Sequence, residues 1–480
     1  MTACSRTTPR VCTRLARVKH AAFALALALA LSAAARAAEP VPDSERALVR
    51  EIYKQLIETD TTHSTGSTTR AAEEMAARLR AAGIPDADIA QLGPSPNKGN
   101  LVARLHGSGS DKPLVLLAHL DVVEAKREDW SVDPFVLLEQ DGYFYGRGSL
   151  DDKAMAAIFT ASVIRLAREH TPLRRDVILA LTADEESGGE NGVDWLLREH
   201  RNLVDGSLVL NEGGGGWLRQ GQYLVLPVQS SEKTYMDYSL RVTDKGGHSS
   251  LPTPENAIYR LAAALLRVQK LVFPIELNPV TREFLQRAAG TEAKEIGAAM
   301  RALAANEKDP AAARTLTKEP RYNALLRTTC VATQLDAGHA PNALPQNAHA
   351  NVNCRILPGH SAGEVQETLV RALADSKVEV KAEEKEVAGP RAAVDPDFLR
   401  TVEAVSAEVF PRVPVVPTMS SGATDSKYFR IAGIPAYGVS GIFTDIDDVR
   451  AHGRDERVGV KQFYEGQDFL WRLILALAAT

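Results

Sequence analysis

The sequence predicts an α/β fold with an α+β unit set into it, and two features carry that expectation. Apolar runs of strand length at 100–105, 113–118, 176–183 and 207–210 alternate with helical patterns, as in a sheet covered on both faces. From 236 onward the pattern changes: 236–242 alternates apolar and polar residues, the mark of a sheet with one solvated face.

The elements follow in order. Residues 1–37 read as a leader rather than as part of the fold. Arg10, Arg14, Arg17 and Lys19 precede an apolar run at 21–31, and Ala35-Arg36-Ala37 has the A-x-A form of a cleavage site. A membrane anchor needs about 20 apolar residues, and this run is shorter. Six of the 56 Lys and Arg and none of the 61 Asp and Glu lie in 1–37, so the remaining chain carries −11. That charge argues against nucleic acid and anionic membranes as partners. Helices are expected at 44–58 and 68–82, with Ser67 or Thr68 as N-cap and Gly83 as stop. A third, at 152–168, places Met155, Phe159, Val163 and Leu166 on one face.

Beyond the strand at 236–242 come a helix at 256–270, strands at 327–335 and 349–356, a helix at 362–374 and a strand at 378–382. Without the Ala- and charge-rich stretch 271–324, read as a helical insertion, the order is β-α-β-β-α-β. From 395 the α/β character returns and ends in a helix at 460–479. The apolar run at 470–479 is short and broken by Arg472, which suits a docked helix and not a membrane span. Cys4 and Cys12 fall in the leader. Cys330 and Cys354 lie in neighbouring strand segments, where a disulfide and two buried thiols are both open readings.

Chemistry gathers where apolar strands end. His119-Leu120-Asp121 closes one strand, Asp184-Glu185-Glu186 follows another, and Asn211-Glu212-Gly213 follows a third. Open α/β sheets place ligands at those ends. Asp151 and Asp152 stand at a helix start after Gly146-Arg147-Gly148, where capping alone would explain acids. His452 lies between an acidic loop and the last helix. Together, four acids and two histidines without thiolate suit zinc, with manganese or cobalt as substitutes. Six ligands exceed one tetrahedral ion, whereas two ions sharing a carboxylate fit. No G-x-G-x-x-G or G-x-S-x-G occurs, so neither a dinucleotide loop nor a serine nucleophile elbow is supported.

The strings H-x-D, G-R-G-x-x-D-D-K, E-E, N-E-G, Gly246-Gly247-His248-Ser249-Ser250, a G-x-T-D-S loop and a final His occur in this order from about residue 44 to the C-terminus. They resemble the dinuclear-zinc peptidase family of aminoacylase, carboxypeptidase S, carnosinase and succinyl-diaminopimelate desuccinylase. The insertion and the 420–426 loop are most similar to the carboxypeptidase S branch. The resemblance implies a catalytic domain at 38–231 and 389–480, with a lid and dimerisation domain at 232–388. It implies one zinc on His119 and Glu212, another on Glu186 and His452, and Asp151 bridging both. By the same resemblance Glu185 is the general base, Asp121 orients His119, and His248 polarises the scissile carbonyl, often from a second subunit. Asn342 and Arg355 resemble lid residues that hold a substrate carboxylate, and Gly422 a backbone contact to substrate. His63, His106, His170, His200, His339, His349 and His360 match nothing catalytic. The implied activity is zinc-dependent hydrolysis of a peptide or N-acyl amide next to a C-terminal amino acid, through a water shared by two cations; the leader pattern makes an exported, periplasmic or secreted enzyme the expectation. A dipeptidase and an inert metal-binding ectodomain are the alternatives. A homodimer through the lid is a further implication.

Overall fold

The computed structural model describes residues 41–109, 111–187, 189–383, 389–390 and 393–480. The leader read at 1–37 lies outside the described residues.

Helices α1 (Asp43–Glu58) and α2 (Thr68–Ala81) come first. The Ser67 side chain accepts the Arg70 N–H and caps α2. Gly83, at φ +93°, takes the left-handed backbone that stops it. Strands β1 (Ile89–Leu92), β2 (Asn100–Leu105) and β3 (Asp111–His119) follow, then α3 (Lys153–Arg168), β4 (Arg175–Thr182), α4 (Gly192–Glu199), β5 (Leu208–Asn211), β6 (Gly216–Arg219) and β7 (Gln222–Glu232). The inserted segment contributes β8 (Thr234–Thr243), α5 (Ala257–Lys270), α6 (Pro279–Ala288), α7 (Lys294–Ala305), α8 (Pro310–Thr317), α9 (Pro320–Leu326), β9 (Thr329–Ala337), β10 (Asn347–Ile356), α10 (Ala362–Leu373) and β11 (Glu379–Ala382). The chain returns through α11 (Pro396–Val409), β12 (Val415–Ser420), α12 (Ser426–Ile431), β13 (Ala436–Gly438), β14 (Phe443–Asp445) and α13 (Val460–Ala478).

Ten strands form one mixed sheet, ordered β1-β2-β4-β3-β5-β13-β7-β6-β14, with β12 joined to β7. Its central strands are apolar throughout because both faces are covered. On β3, Leu114, Leu116 and Ala118 enter the core under α1, α2, α3 and α13. Val115 and Leu117 point the other way, toward residues of α4 and α12. The expected α/β alternation is thus present, with β1, β6 and β7 added to it.

The inserted unit is the expected β-α-β-β-α-β. Its sheet runs β9-β10-β8-β11. Met236, Tyr238, Leu240 and Val242 of β8 pack with α5 and α10, while the intervening residues face away, as the alternation predicts. Cys330 and Cys354 stand directly opposite each other on β9 and β10 and form a disulfide. The helical insertion does not extend this small core. Val280, Phe284 and Leu285 of α6, with residues of α7 to α9, pack on Val225 of β7 and Val416 and Met419 of β12. Amphipathic helices need an apolar surface, and the large sheet supplies it. Residues Asp43–Thr480 form one compact unit. Among the described residues no helix is long and apolar enough to cross a membrane.

Candidate metal centre and active site

Three adjacent parallel strands set the site. Leu116 of β3 lies opposite Leu179 of β4 on one side and Leu210 of β5 on the other. The ends of these strands therefore bring Glu185-Glu186, His119 and Glu212 to one edge of the sheet. Behind Glu212 the packing is close: a Cβ on Gly438 would lie 2.3 Å from the Glu212 carbonyl oxygen. Asp151 arrives just before α3, where the Asp151–Asp152 peptide is cis. His452 comes from the loop between β14 and α13.

The side chains converge in two triads. Ligand atoms of His119, Asp151 and Glu212 lie within 4.8 Å of one another, as do those of Asp151, Glu186 and His452. Asp151 gives one oxygen to each. Its Oδ1 is 3.0 Å from His119 Nε2, and its Oδ2 is 3.1 Å from His452 Nε2. That same nitrogen is 2.9 Å from Glu186 Oε1. Zinc with N and O ligands at about 2.0–2.2 Å separates neighbouring ligands by about 3.4 Å, so each triad has the size for one ion.

Electrostatics also favours cations here. Burial, then Asp425, pushes the Glu185 carboxyl well above the ordinary range. Burial, then Asp151 and Glu185, does the same to Glu212. Burial opposes charge on His119, but its contacts with Asp151 and Asp121 outweigh this and raise its pKa well above the usual value. Hydrogen bonds to Asp151 and Glu186 raise His452 to about 10. The cluster thus holds protons where divalent cations would otherwise neutralise it, and binding metal releases them. The donor set and its spacing fit two zinc ions.

Asp121 supports the site differently from expectation. His119 Nδ1 lies 2.9 Å from the Asp121 backbone carbonyl, while the carboxylate is 3.7 Å away. That carboxylate instead accepts the backbone N–H groups of Glu185 at 3.1 Å and Glu186 at 3.0 Å. The reason is register. Leu120 N donates to the Thr182 carbonyl, which carries Asp121 under the turn that follows β4. Asp184, at φ +64°, completes that turn by accepting from Lys98, Ser187 and the Glu190 N–H.

A cavity of about 770 Å³ opens over the triads, lined by Asp151, Glu185, Glu186, Glu212 and His452 and also by Arg355 and Gly422. The Arg355 guanidinium lies 4.6 Å over the Tyr235 ring and 3.5 Å from the Ser421 carbonyl. The Gly422 N–H donates to Ser420 Oγ at 3.0 Å. His248 and Asn342 are not among the lining residues. Both are exposed, brought together where His248 pairs with Ala343 and Ser249 N donates to the Asn342 carbonyl. Residues not singled out from the sequence also matter. Lys233, Tyr235, Lys427 and Tyr428 line the cavity, and a buried Arg147–Glu456 pair lies beneath Asp151. Arg147 stands in a string noted for its glycines and acids, and Glu456 lies four residues beyond the final His, but a partner some 300 residues away leaves no local signal.

The family model described as peptidase family M20/M25/M40 matches residues 115–476, and the chain belongs to that family. Its similarity extends to human N-fatty-acyl-amino acid synthase/hydrolase PM20D1, 33% identical over 382 residues, covering 76% of this chain and 75% of that one. A probable carboxypeptidase S-like 2 of Dictyostelium discoideum is 29% identical over 376 residues, covering 76% and 71%. Among solved structures, the M20 family metallo-carboxypeptidase Sso-CP2 from Sulfolobus solfataricus has a TM-score of 0.68 at 17% identity, covering 89% of this chain and 98% of that one. Human carnosine dipeptidase 1 has a TM-score of 0.62 at 16% identity, covering 91% and 97%. These two share its fold. Family and triads together make the chain a zinc-dependent hydrolase of peptide or amide bonds.

Replacing Asp121 by Ala leaves the Glu185 and Glu186 amides without their acceptor. Zinc affinity is expected to fall about 10- to 100-fold, measured by titration against a competing chelator. Wild-type affinity in Asp121→Ala would contradict the support drawn here.

Proposed function

We propose that the enzyme releases a C-terminal amino acid from a peptide or an N-acyl amino acid, as a carboxypeptidase S-like member of its family. One observation carries this reading: Arg355 lines the same cavity as both metal triads. A guanidinium binds a carboxylate bidentately, which favours substrates ending in a free carboxylate. The relatives' names agree, one being an N-fatty-acyl-amino acid synthase/hydrolase and another carboxypeptidase S-like.

Bound zinc supplies Lewis acidity, which acidifies water and polarises the scissile carbonyl. Glu185 lines the cavity but belongs to neither triad, which leaves its carboxylate to carry protons. It takes the proton of the attacking water and delivers it to the leaving amine as the carbon–nitrogen bond breaks. A positioned base of this kind contributes about 10²–10⁴ in rate. His248 and Asn342 act in the cavity of a second copy, His248 stabilising the developing oxyanion. In support, β9 is an exposed edge strand carrying Val331 and Leu335. A groove of about 470 Å³ beside it is lined by Ile258, Leu265, Leu266 and Ala337, an apolar surface suited to a homodimer through the lid. Export completes the reading, supported by the leader pattern at 1–37 and by a disulfide, which persists in oxidising compartments.

With zinc present, N-acyl amino acids or Gly-X dipeptides are expected to be hydrolysed, and the same compounds with an amidated C-terminus to lose most of kcat/KM. Equal turnover of the amides would remove the carboxylate clamp. No turnover of either class would favour an inert ectodomain.

Glu185→Gln is expected to keep both zincs and lose about 10²–10⁴ in kcat. Mixing it with His248→Ala should restore activity if His248 works in trans, and no recovery would sink the shared site. For export, N-terminal sequencing of the protein recovered from the periplasm or medium should begin after Ala37; an intact N-terminus in the cytoplasm would refute it.

A further inference from the structure

The bridging Asp151 and the ligand His452 are carried by loops some 300 residues apart, and one buried carboxylate ties these loops together. Glu456 is 1% exposed and follows His452 by four positions. Its Oε1 accepts the N–H groups of Leu150 at 2.8 Å and Asp151 at 3.1 Å. Its Oε2 accepts the Gly148 N–H at 3.2 Å and Arg147 Nη1 at 2.6 Å. Arg147 in turn donates from Nη2 to the carbonyls of Glu124 at 3.4 Å and His452 at 3.5 Å, and stacks over Trp130 at 4.9 Å. The backbone joins in, with Gly146 N donating to the Glu456 carbonyl.

The two triads differ in what else holds them. His119 ends a strand paired on both sides and is 2% exposed, and Glu212 directly follows β5. The His452 side chain is 54% exposed, and its described ion-pair contacts are only to Asp151 and Glu186. Its backbone sits at φ +61°, in a loop without strand pairing. We propose that Glu456 is a positioning residue that, with Arg147, fixes the loops of Asp151 and His452 against each other. The triad Asp151–Glu186–His452 depends on it more than His119–Asp151–Glu212 does. This holds whichever amide the enzyme cuts.

The test uses the zinc-loaded full chain and a competing chelator, with zinc retained per chain as the readout. Glu456→Gln keeps the shape but sets an NH₂ group against N–H donors. One zinc is expected to leave at about 10- to 100-fold lower chelator concentration than in wild type, the other at a concentration lowered clearly less. In a His452→Ala background the same change should add less than it does alone, because the imidazole whose placement it fixes is already gone. If Glu456→Gln folds poorly, Arg147→Lys keeps the charge but loses the fork to the His452 and Glu124 carbonyls, and it should show the same selective loss. Equal weakening of both zincs, unchanged release of both, or additivity with His452→Ala would each overturn the proposal.

Discussion

Mutual repulsion among clustered, half-buried carboxylates is the constraint around which this molecule is organised. Asp151, Glu185, Glu186 and Glu212 share one corner of the sheet with only two imidazoles beside them. In a low-dielectric pocket such a set cannot all be ionised without cations. Two divalent ions meet that need at once, and the arrangement makes one carboxylate do double duty. Asp151 presents a different oxygen to each triad, so one side chain would help hold both ions. Everything that fixes Asp151 therefore also fixes the two triads against each other.

The fold anchors that corner by turning other acids away from it. Asp121, Asp184 and Glu456 are all buried close to the metal ligands, yet none of their carboxylates is a ligand. Each accepts backbone N–H groups from the turns that present the ligands: Asp121 from 185 and 186, Asp184 from 190, Glu456 from 148, 150 and 151. A carboxylate whose oxygens accept N–H groups has part of its hydrogen-bonding capacity filled without a metal. So, apart from Glu185, these acids divide into two kinds, those bonded to backbone and those left for cations.

This division explains what could be read from the sequence and what could not. Apolar runs ending in His119, Glu185-Glu186 and Glu212 mark strand ends by hydropathy alone, and parallel pairing of β4, β3 and β5 makes those ends coincide. The β-α-β-β-α-β unit was equally legible, because residues 236–242 alternate where a sheet has one solvated face. The role of the Asp121 carboxylate was hidden, since its donors depend on how the turn after β4 lies over β3. Burial of Arg147 against Glu456 was hidden too, as neither residue carries an apolar period. The helical insertion was recognised by composition, but composition says nothing of which sheet it covers. His248 and Asn342 are not among the residues lining the cavity of this chain, so the part in catalysis proposed for them requires a second copy.

The proposed carboxylate clamp at Arg355 sets an electrostatic condition on the second sheet. A cation with that role must not be captured by the acids of the metal site. Among the described residues no ion pair links Arg355 to those acids. It is carried by β10, stacked on Tyr235, and its pKa is lowered by burial. Lys233, at the crossing from β7 to β8, lines the same cavity, but its ammonium is taken up by the carbonyls of Ala324 and Arg327 and by Thr329 Oγ1. Burial lowers its pKa to about 7. One cation is thus absorbed into the junction between the sheets, and the other is held on an aromatic face across a cavity of about 770 Å³. Placing Arg355 on a second sheet keeps its charge unspent until an anion enters between them, which a single sheet crowded with acids could not do.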